Sequence, residues 1–278
     1  MQHAVSIAPA GPAGDPSSMA ELAAEAERAG WDAVLLEDYV VYQGQATTPT
    51  FDPWVTMAAM AVATRTIRIG TCVTPVPRRR PWTLAAQAVT LDHLSGGRLV
   101  LGVGAGDVHD PGFSATGEAT AASARAALLD EGLEVIAALW GGEPVHFHGR
   151  HLHVDGLRLA AVPRQRPRIP VWVGGDLQVP GVRARLARWD GACVYKGSPG
   201  QEWHDLGPDD VAQIRALAGD RRFDICLGGR ERAEDWDRDR EHIAAVAAAG
   251  ATWWSEWVMP GDRRRTFEAV RRGPLTAR

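Results

Sequence analysis

Three consecutive stretches decide the fold: Ile67–Val73 (IRIGTCV), Pro81–Leu94 (PWTLAAQAVTLDHL) and Leu99–Val103 (LVLGV). The first and third are short, almost continuous apolar runs. Such runs suit strands of a parallel sheet that helices cover on the outside. The middle stretch reads as a helix with Pro81 near its first turn, where a missing N–H costs nothing. Together they form one strand–helix–strand unit.

The same rhythm extends in both directions. Upstream, Val5–Ala8 and Ala33–Leu36 read as strands. Ser17–Ala29 and Pro53–Ala63 read as helices, with Ser18 and Glu21 placed for a capping box and Gly30 for a stop. Downstream, strands are expected at Ile169–Val173, Ala192–Tyr195, Phe223–Leu227 and Thr252–Trp257. Helices are expected at Ser123–Trp140, Val182–Ala187, Asp209–Ala218, Arg238–Ala249 and Arg263–Arg271. Eight strands, each followed by a helix, favour a closed (β/α)8 barrel over an open doubly wound sheet. The 278 residues suit one such domain. Glu143–Arg168 breaks the rhythm and reads as an extra hairpin or loop inserted before the fifth strand.

Composition narrows the function. The net charge of −4 argues against a general nucleic-acid binder. No apolar run approaches the roughly 20 residues of a membrane span. The N-terminus shows no basic segment leading into an apolar one, so no signal peptide and a cytoplasmic address are expected. Cys72, Cys193 and Cys226 lie far apart on strand-like runs and read as small buried hydrophobes. His146, His148, His151 and His153 fall within the insertion, away from the strand ends. A solvated hairpin face is expected there, not a metal site. Most of the eleven tryptophans are expected in the core.

In a barrel of this kind, chemistry belongs where strands end and loops begin. Those positions carry Glu37-Asp38-Tyr39, Cys72-Val73-Thr74 and Gly102-Val103-Gly104-Ala105-Gly106-Asp107, with His109 beyond. They also carry Gly174-Gly175, Lys196, Gly228-Gly229 and Glu256. Bare N–H groups at Gly174-Gly175, with a helix start near Val182 and Arg183, suit an anion. Gly102–Gly106 has the wrong spacing for a dinucleotide fingerprint. Glu37 and Glu256 are either substrate contacts or partners of arginines across the mouth.

One run is more specific than any single motif. Arg79-Arg80-Pro81-Trp82-Thr83-Leu84-Ala85, Thr90-Leu91-Asp92-His93-Leu94-Ser95-Gly96-Gly97-Arg98 and Leu101–Gly106 closely resemble the luciferase-like (bacterial luciferase family) oxidoreductases, which use flavin or deazaflavin. Pro170–Gly175, Asp190-Gly191 and Gly250–Glu256 extend the resemblance over essentially the whole chain.

The resemblance implies a (β/α)8 barrel holding coenzyme F420, or alternatively FMN, at the strand C-termini. It implies a non-proline cis peptide at Cys72–Val73 backing the ring. Asp38, Thr74, Ala105 and Gly106 would lie near the ring, with Asp107 beside them. Gly174, Gly175, Val182 and Arg183 would hold the phosphate. Two positions depart from the family's F420 sugar-phosphate dehydrogenases: Tyr39 stands where they have an acidic His, and Asp107 where they have a Glu base.

The leading expectation is therefore hydride transfer between F420 and a small organic substrate. Asp38 would position the ring, and Tyr39 or Asp107 would handle the proton. Glu37, His109, Lys196 and Glu256 would contact substrate. An FMN monooxygenase with a separate cofactor reductase is the alternative, and a non-catalytic flavin-binding or partner-binding barrel the third. A homodimer also fits the resemblance.

Overall fold

The structure is a computed structural model, and it describes residues 1–197 and 205–276. In chain order the elements are β1 (Gln2–Ile7), α1 (Pro16–Arg28), β2 (Ala33–Leu36), α2 (Pro53–Ala63), β3 (Arg68–Thr71), β4 (Thr74–Pro75) and α3 (Pro81–Leu94). There follow β5 (Leu99–Gly104), α4 (Pro111–Ser114), α5 (Ala122–Leu139), β6 (Val145–His148), β7 (His153–Leu157), β8 (Val171–Asp176) and α6 (Pro180–Leu186). The last are β9 (Gly191–Tyr195), α7 (Pro208–Ala218), β10 (Asp224–Arg230), α8 (Trp236–Ala248), β11 (Trp253–Trp257) and α9 (Arg263–Arg271).

Strands β1, β2, β3, β5, β8, β9, β10 and β11 pair in that order, all parallel, and β11 returns to β1. The ring is closed, so the open-sheet alternative falls away. The third position is split. Its run pauses at the cis Cys72–Val73 peptide and resumes as β4, which pairs with β5. The insertion is an antiparallel hairpin, β6–β7. His148 lies opposite His153 on it, and His146 contacts Asp155 at 2.8 Å. Among the described residues, no group of three or more His, Cys, Asp or Glu could hold a metal ion, and no helix is long and apolar enough to cross a membrane.

Local chemistry places several helix starts. Asp15 caps α1 by accepting from the Ser17 and Ser18 amides. The helix therefore begins earlier than a Ser18 cap implies, and Ser18 instead receives Arg263 Nη1 at 2.7 Å. Asp52, Asp235 and Asp262 cap α2, α8 and α9 in the same way.

Two hydrophobic layers result. The larger lies between the strands and the helices and takes Val34, Leu36, Leu101, Val173 and Ile225. The smaller fills the barrel: Ala4, Ala33, Leu35, Val100, Trp172, Cys226 and Trp253, with Cys72 and Cys193 packed on it. Trp172 and Trp253 meet edge to face with centroids 5.3 Å apart. All three thiols thus sit inside the barrel. Burial pushes the Cys226 thiol up, and contact with Cys72 and burial do the same for Cys193.

Candidate active site

Successive side chains of a strand point to opposite faces of the sheet. The two layers show which parity faces inward. Ala33 and Leu35 are inside the barrel, so Glu37 continues that line at the C-terminal mouth. By the same rule Asp176 follows Trp172, Tyr195 follows Cys193, and Trp257 follows Trp253. Asp38, Lys196 and Glu256 belong to the opposite parity.

The β2–β11 side of the mouth is built around Glu37. The Trp257 indole Nε1 donates to Glu37 Oε1 at 2.8 Å. Oε2 is buried with no hydrogen-bond partner among the described residues. Burial raises the carboxyl to about 7, against which the indole bond is a smaller, opposing effect. The Tyr39 and Tyr42 rings pack edge to face at 5.7 Å beside Ala8 and Ala10. Burial, then the charge of Glu37, raises the Tyr42 phenol to about 12. Tyr39 is pushed up by burial, then by Glu37 and Asp107. Tyr195 is raised by burial, then by Asp176 and Asp107. These phenols stay protonated through neutral pH, so each keeps an O–H that can donate a hydrogen bond.

Asp38 does not open its carboxylate to the mouth. Its side chain is 1% exposed and lies on two guanidinium groups. Arg79 Nε and Nη2 donate to it at 3.0 and 2.8 Å, and Arg78 Nη2 at 3.0 Å. Arg78 also ion-pairs with Asp110, which accepts from the Val40, Val41 and Gly112 amides. The network joins the loops after β2, β4 and β5. It fixes the backbone on both sides of Tyr39, so Asp38 is a positioning residue.

The opposite side of the mouth centres on Val73. A Cβ added at Gly104 would meet Val73 Cγ2 at 2.7 Å, and one at Gly174 would meet Cγ1 at 2.6 Å. The two glycines therefore make room for the Val73 side chain, which becomes a small apolar shelf over β5 and β8. Ala105 and Gly106 lie half-buried beside it. Thr74 does not reach the mouth: it is fully buried and receives Trp54 Nε1 at 3.3 Å.

The anion site expected at Gly174–Arg183 is altered in detail. The Val182 and Arg183 amides already donate to Val179 O at 3.0 and 3.3 Å, and Val182 is buried under Gly175. The positive group there is the Arg183 guanidinium. The carbonyls of Leu177 and Gln178 fix it at 3.0 and 2.7 Å, and it has no carboxylate partner among the described residues.

The remaining candidates divide. Asp107 and His109 are exposed and hydrogen-bond each other at 2.8 Å. Lys196 is bound to Asp210 at 2.6 Å. Glu256 holds Arg232 through two bonds of 2.8 and 2.9 Å and accepts from the Leu275 amide. Both of its oxygens are committed behind the sheet, so it is not a substrate contact. Of the two mouth glutamates, only Glu256 takes the arginine-paired role. Trp257, Tyr42, Tyr195 and Asp176 join the site without having been singled out as candidates. Strand parity was the signal that marked three of them.

The geometry thus suits a planar group on the Val73 shelf, with a negative tail toward Arg183 and a carboxyl–phenol wall facing it. Comparisons with known proteins identify the family and the fold. Residues 2–230 match the family model for luciferase-like monooxygenases. The chain is 33% identical over 260 residues to the F420-dependent glucose-6-phosphate dehydrogenase of Nakamurella multipartita, covering 91% of this chain and 72% of that protein. It is 32% identical over 178 residues to the enzyme of the same name from Gordonia bronchialis, covering 59% of this chain but only 49% of that protein. In fold it is similar to an F420-dependent secondary alcohol dehydrogenase in complex with an F420–acetone adduct. That likeness has a TM-score of 0.78, 17% identity, and covers 100% of this chain and 99% of the other.

Proposed function

The chain belongs to the luciferase-like monooxygenase family, and on that premise we propose that it is an F420-dependent oxidoreductase exchanging hydride with a small organic substrate. The observation that carries this reading is the division of the mouth: a shelf and a carboxylate-free guanidinium on the β5–β8 side, and proton-bearing groups on the β2–β11 side. Cys72, Val73, Ala105, Gly106, Gly174 and Gly175 would carry the ring, and Arg183 the phosphate. When bound, the deazaflavin supplies hydride exchange at its C5.

The chain's own residues do the rest. Arg78 and Arg79 hold the Asp38 loop, and with it Tyr39, in one place. The Tyr39 hydroxyl donates a hydrogen bond to the substrate oxygen on which charge develops. Arg78, Arg79, Lys196, Arg230 and Arg232 are all bound to carboxylates. Among the described residues these five cations are already neutralised, and the β2–β11 wall carries phenols and a carboxyl, an environment that favours an uncharged substrate.

Difference spectroscopy of the protein titrated with F420 and, separately, with FMN tests the cofactor. Saturable F420 binding is expected. FMN binding alone would move the assignment to a flavin monooxygenase served by a separate reductase, and binding of neither would leave a non-catalytic barrel. Tyr39→Phe is expected to lower kcat roughly 100-fold by removing one preorganised donor. F420 affinity should change less than about twofold, since the hydroxyl is not assigned to the cofactor. A loss confined to affinity would reassign Tyr39 to cofactor binding.

A further inference from the structure

Resting on that reading, we infer that Glu37 is the residue that exchanges the substrate's proton as hydride moves, and that the substrate is an uncharged alcohol or its carbonyl counterpart. Glu37 enters the mouth from the inward-facing line of β2. Its two oxygens are unequal: Trp257 fixes Oε1 at 2.8 Å, while Oε2 is buried without a partner among the described residues. A buried polar atom ordinarily has a partner, and one without it marks where a ligand atom can complete the set. The charge of Glu37 reaches the Tyr39 and Tyr42 phenols of the loop after β2, and Tyr39 also feels Asp107 from the loop after β5. No guanidinium or ammonium pairs with Glu37 among the described residues.

The competing groups are less suited. Asp38 and Asp110 are sealed on Arg78 and Arg79. Asp107 is exposed and bound to His109. The phenols remain protonated, so they can donate a hydrogen bond but cannot accept a proton near neutrality. Glu37 changes charge near pH 7, where a proton-exchanging group works best in both directions.

The step balances. In oxidation, the substrate C–H bond gives up its electron pair as hydride to the oxidised cofactor. The O–H bond breaks, its electron pair becomes the second carbon–oxygen bond, and its proton goes to Glu37 Oε2. In reduction the carboxylic acid returns that proton to the oxygen as hydride reaches the carbonyl carbon.

The experiment compares the wild type, Glu37→Gln and Glu37→Asp. The substrates are cyclohexanol and benzyl alcohol with F420, and cyclohexanone and benzaldehyde with reduced F420. F420 binding is measured in parallel, and carboxyl titration is followed by carbon-13 NMR on the cofactor-free protein. Glu37→Gln should lower kcat about 100- to 1,000-fold, flatten its pH profile near neutrality and leave F420 affinity within about twofold. The NMR should show one carboxyl titrating near neutrality that Glu37→Gln removes. Glu37→Asp should keep a titrating limb at reduced kcat. A Gln variant with unchanged kcat and pH profile, a Glu37 carboxyl titrating in the ordinary range, or a wild type that binds F420 but converts none of these substrates would each overturn the inference while the cofactor reading stands. A wild type that does not bind F420 overturns both.

Discussion

Replacing Arg78 by methionine is expected to cost roughly 3–5 kcal/mol of folding stability, because it strips a shared cation from two buried carboxylates. The Asp38 and Asp110 side chains are 1% and 2% exposed, and that of Arg78 is 7% exposed. Such groups cannot regain hydration when the partner goes. Asp38 would keep Arg79, but Asp110 would keep only backbone amides from Val40, Val41 and Gly112. The Arg78 guanidinium also lies 5.6 Å over the Phe113 ring, so packing is lost with charge. For a chain of this size the loss corresponds to a fall in Tm on the order of 10 °C. A second variant separates burial of charge from loss of volume. Arg78→Met with Asp110→Asn should recover part of the loss, since removing both partners costs less than orphaning one. A shift below about 2 °C for Arg78→Met would show that the network contributes little to stability.

The alternation of apolar runs and helical stretches was enough to read the barrel, because eight repeats leave few other ways to close a parallel sheet. The insertion was equally legible, since β6 and β7 interrupt that alternation. Site residues were harder. The expected strand ends fall within three residues of the observed ones, but a list of polar residues at strand ends mixes two faces. Asp38, Lys196 and Glu256 are adjacent in sequence to Glu37, Tyr195 and Trp257, yet they point the other way and are consumed by arginines or by Asp210. Extending the apolar parity of each strand by one step would have separated them. The glycines were ambiguous for a different reason. Gly104 and Gly174 do permit a close approach, but the approaching group is the Val73 side chain, which meets Gly104 on the neighbouring β5 and reaches Gly174 on β8 beyond it. The carboxylate partners of Arg78 lie 32 and 40 residues away in sequence, so their pairing depends on the closed barrel.

Glu37→Gln is expected to gain on wild type in stability, by up to about 3 kcal/mol, as pH rises from 5 to 8, whatever its absolute level at either end. The Glu37 carboxyl is raised from 4.5 to about 7 in the folded protein by burial. Between those values the native state holds a proton that the unfolded chain has released. Stability is therefore full below pH 4.5, declines as pH rises, and levels off above about 7, where the folded protein must bury an unpaired charge. Two and a half pH units at 1.36 kcal/mol each set the limit of about 3 kcal/mol. Glutamine carries no charge and keeps an oxygen for the Trp257 indole, so its stability should not follow that decline. Its amide would sit unbonded where Oε2 now is, which offsets the gain by roughly 1–3 kcal/mol at every pH. The diagnostic is thus the slope and not the absolute level: urea melts at pH 5, 6.5 and 8 should show the variant gaining on wild type as pH rises. Parallel curves would mean that Glu37 ionises as an ordinary surface carboxylate. A gain at high pH combined with lost turnover would mean that the same buried carboxyl weakens the fold and performs the chemistry, a trade familiar where a charged group is held in a site that does not solvate it.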